Sequence, residues 1–235
     1  VYRYAGGVTK PGGGASKVRG LLLDFGGVVT RSVFEQMELA ERRLGLPRAS
    51  LPWRGPIDPS TDPLWRALQR EEISERDYWA ARAKETGKLL GEEWSVQTFF
   101  RRMRPARPNE AIRPQAERTI RLAKRAGMRV GILSNELELF YDDGFLGEVD
   151  ILREVDCIVD ATRTQILKPD PRAYELALQA LQTEAEATLF LDDQPRNVEG
   201  ARRAGLRAIL FDVRDPESCF RRVDARLASQ VGVTL

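Results

Sequence analysis

Four short segments carry the residues that could do chemistry. The first, Asp24-Phe25-Gly26-Gly27-Val28-Val29-Thr30, follows the apolar run Gly20-Leu21-Leu22-Leu23. An apolar run that ends in a carboxylate and then two glycines reads as a buried strand delivering an acid to a sheet edge. The turn after it has backbone clear of side chains. The second segment, Ile132-Leu133-Ser134-Asn135, ends an apolar run in a hydroxyl and an amide. The third is Leu167-Lys168-Pro169-Asp170-Pro171, and the fourth is Phe190-Leu191-Asp192-Asp193-Gln194-Pro195-Arg196-Asn197. The chain has no histidine, which excludes imidazole-based triads and His-ligated zinc. Acids, bases and nucleophiles must be carboxylate, Lys, Tyr, Ser, Thr or Cys.

These residue types suit phosphoryl transfer. A carboxylate such as Asp24 can attack phosphorus and split one hard step into two. An anion attacking an anion needs positive charge nearby. Asp24 and Asp192, with Asp193 as a further candidate, would offer oxygen ligands suited to magnesium, which keeps several waters and substrate oxygens. Lys168 would supply a fixed cation for the phosphate and for Asp24. Ser134 could donate to a phosphoryl oxygen as charge shifts, and Asn135 could do the same or orient the loop. Each segment alone also has a bland reading. Ser134-Asn135 and Asp192-Asp193 could be helix caps, and the Lys168 segment could be a solvated helix start.

The elements that must position these residues can be read from periodicity. Strand character falls on residues 18–23, 129–133, 157–159, 188–191 and 208–211. Helical patterns cover 113–126, 171–181 and 195–204, and Asp215-Pro216 opens one more. Alternating strand and helix after residue 113 implies a parallel sheet with right-handed crossovers, and ligands of such sheets bind beyond the strands' carboxyl ends. The interval 33–112 holds no convincing strand. Phe34 to Leu44, Asp62-Pro63 onward, the capping-box pattern Ser74-Glu75-Arg76-Asp77 and Trp94 to Arg104 predict four helices there. A crossover of this length is too long for an ordinary connection, so it reads as an inserted helical unit. Trp53, Trp65, Trp79 and Trp94 all fall inside it. They are expected to form its core, with one or two available to line an apolar pocket. Arg101, Arg102, Arg104 and Arg107 are expected to be a solvated face.

All four segments, in this order, resemble the motifs of the haloacid dehalogenase-like hydrolase superfamily. Lys168-Pro169-Asp170-Pro171-Arg172-Ala173-Tyr174 and Leu191-Asp192-Asp193 through Asn197-Val198-Glu199-Gly200-Ala201 are close matches. The similarity covers nearly everything after residue 17. It resembles the phosphatase-type branch with a small helical cap after the first motif, as in the phosphatase-like N-terminal part of epoxide hydrolases. The resemblance implies a doubly wound α/β core of residues 18–32 and 113–235, a helical cap at 33–112, and a leader or expression remnant at 1–17. It also implies a catalytic group of Asp24, Ser134, Asn135 and Lys168. Magnesium would be held by Asp24, the Gly26 carbonyl, Asp192 and Asp193, and the substrate would be a small phosphate ester.

The chain departs from the family at Gly26. The phosphatases carry a second Asp there, which protonates the leaving group and then deprotonates water. A glycine does neither, so help worth about 100- to 10,000-fold is in question. Thr30 and Glu35 are candidates to substitute. Two alternatives follow: a weak or non-catalytic binding or regulatory protein on the same scaffold, and a carbon–halogen hydrolase, whose halide leaves without protonation. Against the second, the family's dehalogenases carry a bulky aromatic at position 26, and the Asp192-Asp193 pair resembles the metal-dependent phosphatases.

Bulk properties exclude other classes. The balance of 37 basic and 35 acidic residues, net +2, is too even to argue for nucleic acid or a membrane surface. Two cysteines far apart, Cys157 and Cys219, match no metal or redox spacing and predict free thiols in a reducing cytoplasm. No signal peptide or membrane-length apolar run is expected. Oligomeric state is not encoded in any motif.

Overall fold

The computed structural model describes residues 17–231, with side chains through residue 228. The expected leader, residues 1–17, therefore lies outside the description except for Lys17.

The five apolar runs form five parallel strands, β1 (Gly20–Leu23), β2 (Arg129–Ser134), β3 (Cys157–Asp160), β4 (Thr188–Asp192) and β5 (Arg207–Leu210). They lie in the order β3-β2-β1-β4-β5, so the chain winds outward from β1 in one direction and then resumes on its other side. Leu23 pairs with Ile132 and with Leu191, which brings the carboxyl ends of β1, β2 and β4 level. The crevice of such a sheet opens where the winding reverses, here between β1 and β4.

The runs are continuous because both faces of the sheet are covered. Leu21, Leu23, Val130, Ile132, Leu189 and Leu191 pack into one buried cluster with Ile120 and Phe220. Leu22, Leu133 and Phe190 point the other way and pack with Tyr174 and Ala201. The first face carries α5 (Pro114–Arg125) and α11 (Pro216–Val231). The second carries α9 (Pro171–Leu181) and α10 (Pro195–Arg203). Burying strands on both faces is the usual condition of a parallel sheet.

Four helices precede α5 between β1 and β2: α1 (Met37–Arg43), α2 (Pro63–Gln69), α3 (Glu75–Leu89) and α4 (Val96–Met103). Their starts follow local chemistry. Asp62 accepts from the Trp65 N–H with Pro63 in the first turn, Ser74 and Asp77 form a reciprocal capping box, and Ser95 caps α4. The predicted helix at Phe34 opens as a tight turn, Phe34–Gln36, before α1 begins. Short helices α6 (Leu137–Phe140), α7 (Asp143–Glu148) and α8 (Ala161–Thr164) were not legible in the periodicity. The chain leaves and re-enters the core side by side: the Arg31 N–H donates to the Ala111 carbonyl at 2.8 Å and the Arg113 N–H to the Val29 carbonyl at 2.9 Å.

All four tryptophans are buried. Phe34 sits among Trp53, Trp65, Tyr78 and Trp79, with ring centroids 5.3–6.4 Å away. Beneath them, Asp62 is fully buried, pairs with Arg82 and accepts from the Tyr78 hydroxyl at 2.7 Å. The arginine run is not uniformly solvated. Arg104 pairs with Asp142 at 2.7 Å and lies over the Phe145 ring, and Arg102 lies over Trp94. Cys157 and Cys219 are free, and no helix among the described residues is long and apolar enough to cross a membrane.

Candidate active site

The strand ends bring the four sequence segments to one pocket. Asp24, Gly26, Ser134, Asn135, Lys168, Asp192 and Asp193 all line it. Its volume is about 730 Å³ with the open mouth included.

Lys168 is the centre. Its Nζ donates to Asp24 Oδ1 at 2.6 Å, Asp192 Oδ2 at 2.7 Å and the Leu133 carbonyl at 2.9 Å. Burial opposes its charge, but the Asp192 and Asp24 carboxylates outweigh burial and hold the ammonium above its ordinary value. Asn135 acts on the Lys168 peptide: Oδ1 accepts from its N–H at 2.7 Å, and Nδ2 donates to its carbonyl at 3.1 Å. Both ends of the amide thus hold the lysine loop. Ser134 is buried, with its Oγ accepting a long 3.4 Å bond from the Glu136 N–H.

Asp192 is the most tightly held acid. It accepts from the Gln194 N–H at 2.8 Å and from Asn197 Nδ2 at 3.0 and 3.1 Å. The adjacent Asp193 accepts only a 3.4 Å bond from Gln194 Nε2 among the described residues. Burial pushes the Asp24 carboxyl up to about 7, with Lys168 pulling it down and Asp192 pushing it further up. Burial also lifts Asp193 well above the carboxylate range, reinforced by Asp192, Asp24 and Glu75.

The turn after Asp24 is held from outside the site. Arg113 donates twice to the Gly27 carbonyl, at 2.9 and 3.2 Å, and pairs with Glu35. Gly27 has φ +80°, a backbone conformation that favours glycine, and a Cβ there would stand 2.8 Å from Asp193 Oδ2. At Gly26 the reverse holds: a Cβ would meet nothing within 4 Å, and its φ of −70° suits any residue. The room for a second acid is present and unused. Glu35, a sequence candidate for that role, is committed to Arg113 and to Ser32. Thr30 is turned to the Phe25 carbonyl and Tyr141.

Three groups near the site had no sequence signal. Arg113 read only as a helix start, and Tyr141 lay in an unassigned stretch. Glu75 lines the pocket from the first residue of α3. Its cap was legible, but nothing in the chain around it predicts where α3 docks. The outer wall is aromatic, formed by Phe34, Trp65, Trp79, Phe100, Phe140 and Tyr141, with Phe100 and Phe140 stacked at 4.2 Å.

The donor set fits a hard divalent cation. Asp24 and Asp192 share one buried ammonium with Asp193 beside them, and burial first, then the neighbouring carboxylates, raises Asp24 and Asp193. Among the described residues no three His, Cys, Asp or Glu side chains form a ready-made cage. Magnesium needs none, since one or two carboxylates plus water and substrate oxygens commonly hold it.

A family profile described as haloacid dehalogenase-like hydrolase matches residues 18–205. The chain belongs to the haloacid dehalogenase-like hydrolases. It is 37% identical over 99 residues to phosphatase MT3486 of Mycobacterium tuberculosis, covering 42% of this chain and 46% of that protein. It is 27% identical over 161 residues to a phosphoserine phosphatase of Thermus thermophilus, covering 66% of this chain and 59% of that one. These matches span less than two thirds of either relative. Among solved structures, an L-2-haloacid dehalogenase matches with TM-score 0.57 and 18% identity, covering 84% of this chain and 87% of that one, a likeness that bears on fold alone.

Proposed function

We propose that this hydrolase is a magnesium-dependent phosphatase of a small phosphorylated metabolite, with Asp24 as nucleophile. The observation that carries the reading is Lys168 bridging Asp24 and Asp192 at the bottom of the pocket. A buried lysine there orients the Asp24 carboxylate and supplies the positive charge that an incoming phosphate requires. Asp24, the Gly26 carbonyl, Asp192 and Asp193 would hold the magnesium, which would neutralise charge as one anion meets another. Asp24 attacks phosphorus, and the ester oxygen leaves with the electron pair of the broken bond. Ser134 donates to a phosphoryl oxygen, and Asn135 keeps Lys168 in register. Water then attacks phosphorus and returns the Asp24 carboxylate. The phosphatases among the sequence relatives support the same reaction class. The reading takes residues 33–112 as a cap over a core of 18–32 and 113–235, and the protein as cytoplasmic.

The test is phosphate release from a panel of phosphate esters, with magnesium and with chelator. We expect turnover that needs magnesium and is abolished in Asp24→Asn. Activity that survives this substitution overturns the reading. The absent acid at position 26 and the aromatic wall favour carbon–halogen hydrolysis as a second reading. Halide release from haloacids in the presence of chelator would replace the first reading with that one.

A further inference from the structure

The phosphatase reading leaves one step without an agent: nothing at Gly26 can protonate the leaving oxygen or deprotonate water. We infer that Glu75, carried into the pocket by the first turn of α3, is the general acid and base of this site. The inference rests on the phosphatase reading and supplies its missing group from the other side of the pocket.

Position comes first. Glu75 lines the same pocket as Asp24, Lys168, Asp192 and Asp193, and its charge reaches Asp24 and Asp193, raising both carboxyls. The Ser74–Asp77 capping box fixes the start of α3, so the side chain projects from an anchored backbone.

Availability comes second. Each of the other acids and hydroxyls of the pocket wall has a closer partner, a role in the phosphatase reading, or no access to water. Glu136 pairs through Oε1 with Arg76 at 2.8 Å and its Oε2 is buried away from water, and Thr30 bonds Tyr141 and the Phe25 carbonyl. Tyr141 is fixed by Thr30, and burial raises its phenol, which makes it a weaker acid. Among the described residues Glu75 has only loose partners: Arg196 Nη2 at 3.9 Å and Trp79 Nε1 at 3.5 Å. About a quarter of its side chain is exposed, so water can reach it. Burial raises its carboxyl against the pull of Arg196 and Lys168, which is the direction a proton donor near neutral pH requires.

The proton balance closes. As the Asp24 oxygen bonds to phosphorus, the phosphorus–ester oxygen bond breaks, its electron pair stays on oxygen, and the Glu75 carboxyl delivers the proton. The alcohol departs. The Glu75 carboxylate then takes a proton from water as that water's oxygen bonds to phosphorus. The bond to Asp24 breaks, its pair returns to the carboxylate, and phosphate leaves with Glu75 again protonated.

A leaving-group series tests this. kcat/KM is measured with magnesium on p-nitrophenyl, phenyl and benzyl phosphate, in order of worsening leaving group, for wild type, Glu75→Gln, Gly26→Asp/Glu75→Gln and Asp24→Asn. We expect the loss in Glu75→Gln to grow along the series, reaching roughly 100-fold for benzyl phosphate. The double variant should recover at least about tenfold of it, because an Asp at position 26 has open room. A structural role would lower all three esters equally, and substrate recognition would raise KM alone. Either result, or no loss, overturns the inference while leaving the phosphatase reading intact. Failure of wild type on every ester, or turnover persisting in Asp24→Asn, overturns both. The double variant, checked by its melting temperature, carries the test even if Glu75→Gln alone disturbs the docking of α3.

Discussion

Replacing Asp24 by Asn should make the metal-free protein more stable, in a pH-dependent way. In the fold this carboxyl stands near 7 against an ordinary 3.8, a gap of about 3 units. Each unit is worth about 1.4 kcal/mol. The ionised carboxylate therefore costs the chelated protein at most about 4 kcal/mol at and above pH 7. Asp193 shares the same excess of charge, and a proton kept on either acid relieves the other. Half the ceiling, about 2 kcal/mol, is the expected gain, or roughly 4–8 °C in Tm for a chain of this size. The sign follows from proton binding. The folded carboxyl holds its proton more tightly than the unfolded one, so between pH ~4 and ~7 the folded state carries the extra proton. Wild-type stability falls as pH rises through that window, and Asp24→Asn lacks this slope. Thermal melts by circular dichroism in chelator, from pH 4.5 to 8, should show the two proteins nearly equal at the acid end and diverging toward pH 8. Millimolar magnesium should narrow the gap, because it stabilises the ionised carboxylate. A gap that is constant with pH, or a variant less stable than wild type at pH 8, would refute the electrostatic account.

Two further outcomes follow from packing. Gly200→Ala should destabilise by about 1–3 kcal/mol and lower activity, because its Cβ would stand 2.7 Å from the Pro169 Cβ and 2.9 Å from the Pro169 carbonyl, pushing on the peptide next to Lys168. A neutral effect in urea melts and turnover would show that the lysine loop gives way freely. Asp62→Ala should cost about 3–5 kcal/mol, read as a lower urea midpoint. It leaves the buried Arg82 with Glu85 alone as counter-charge among the described residues and removes acceptors for the Gly55 and Trp65 amides and the Tyr78 hydroxyl; a loss below about 1 kcal/mol would mean that water or Glu85 replaces it.

The sheet was legible because strands buried on both faces leave unbroken apolar runs, and the runs of β1, β2 and β4 end in a polar residue at the pocket. Leu133-Ser134 and Leu191-Asp192 mark strand ends as well as site residues. Starts of α2, α3 and α9 were legible because caps and prolines act within four residues. Contacts between distant segments were not. Asn135 serves the peptide of a residue 33 positions away, and Arg113 reaches back 86 positions to Gly27. Nothing local distinguishes Glu35, taken by Arg113, from Glu75, which enters the pocket. The difference lies in how the insert packs, and packing is a property of the whole aromatic cluster. The short helices α6 to α8 contain too few turns for any periodicity to register.

The aromatic wall has a consequence for how this protein could change. Phe34, Trp65 and Trp79 face the pocket and are also the rings against which Trp53, Tyr78 and Phe99 pack. Selectivity and stability are therefore written in the same side chains. A mutation that enlarges the pocket at one of these rings also opens a void in the insert, at about 3–5 kcal/mol for a large aromatic cut to alanine. Phe140 and Tyr141, in the segment after β2, are tied in the same way: Phe140 stacks on Phe100, and Tyr141 packs on Phe25 and Phe145. Drift of specificity in this chain should therefore be slow wherever it works through these rings.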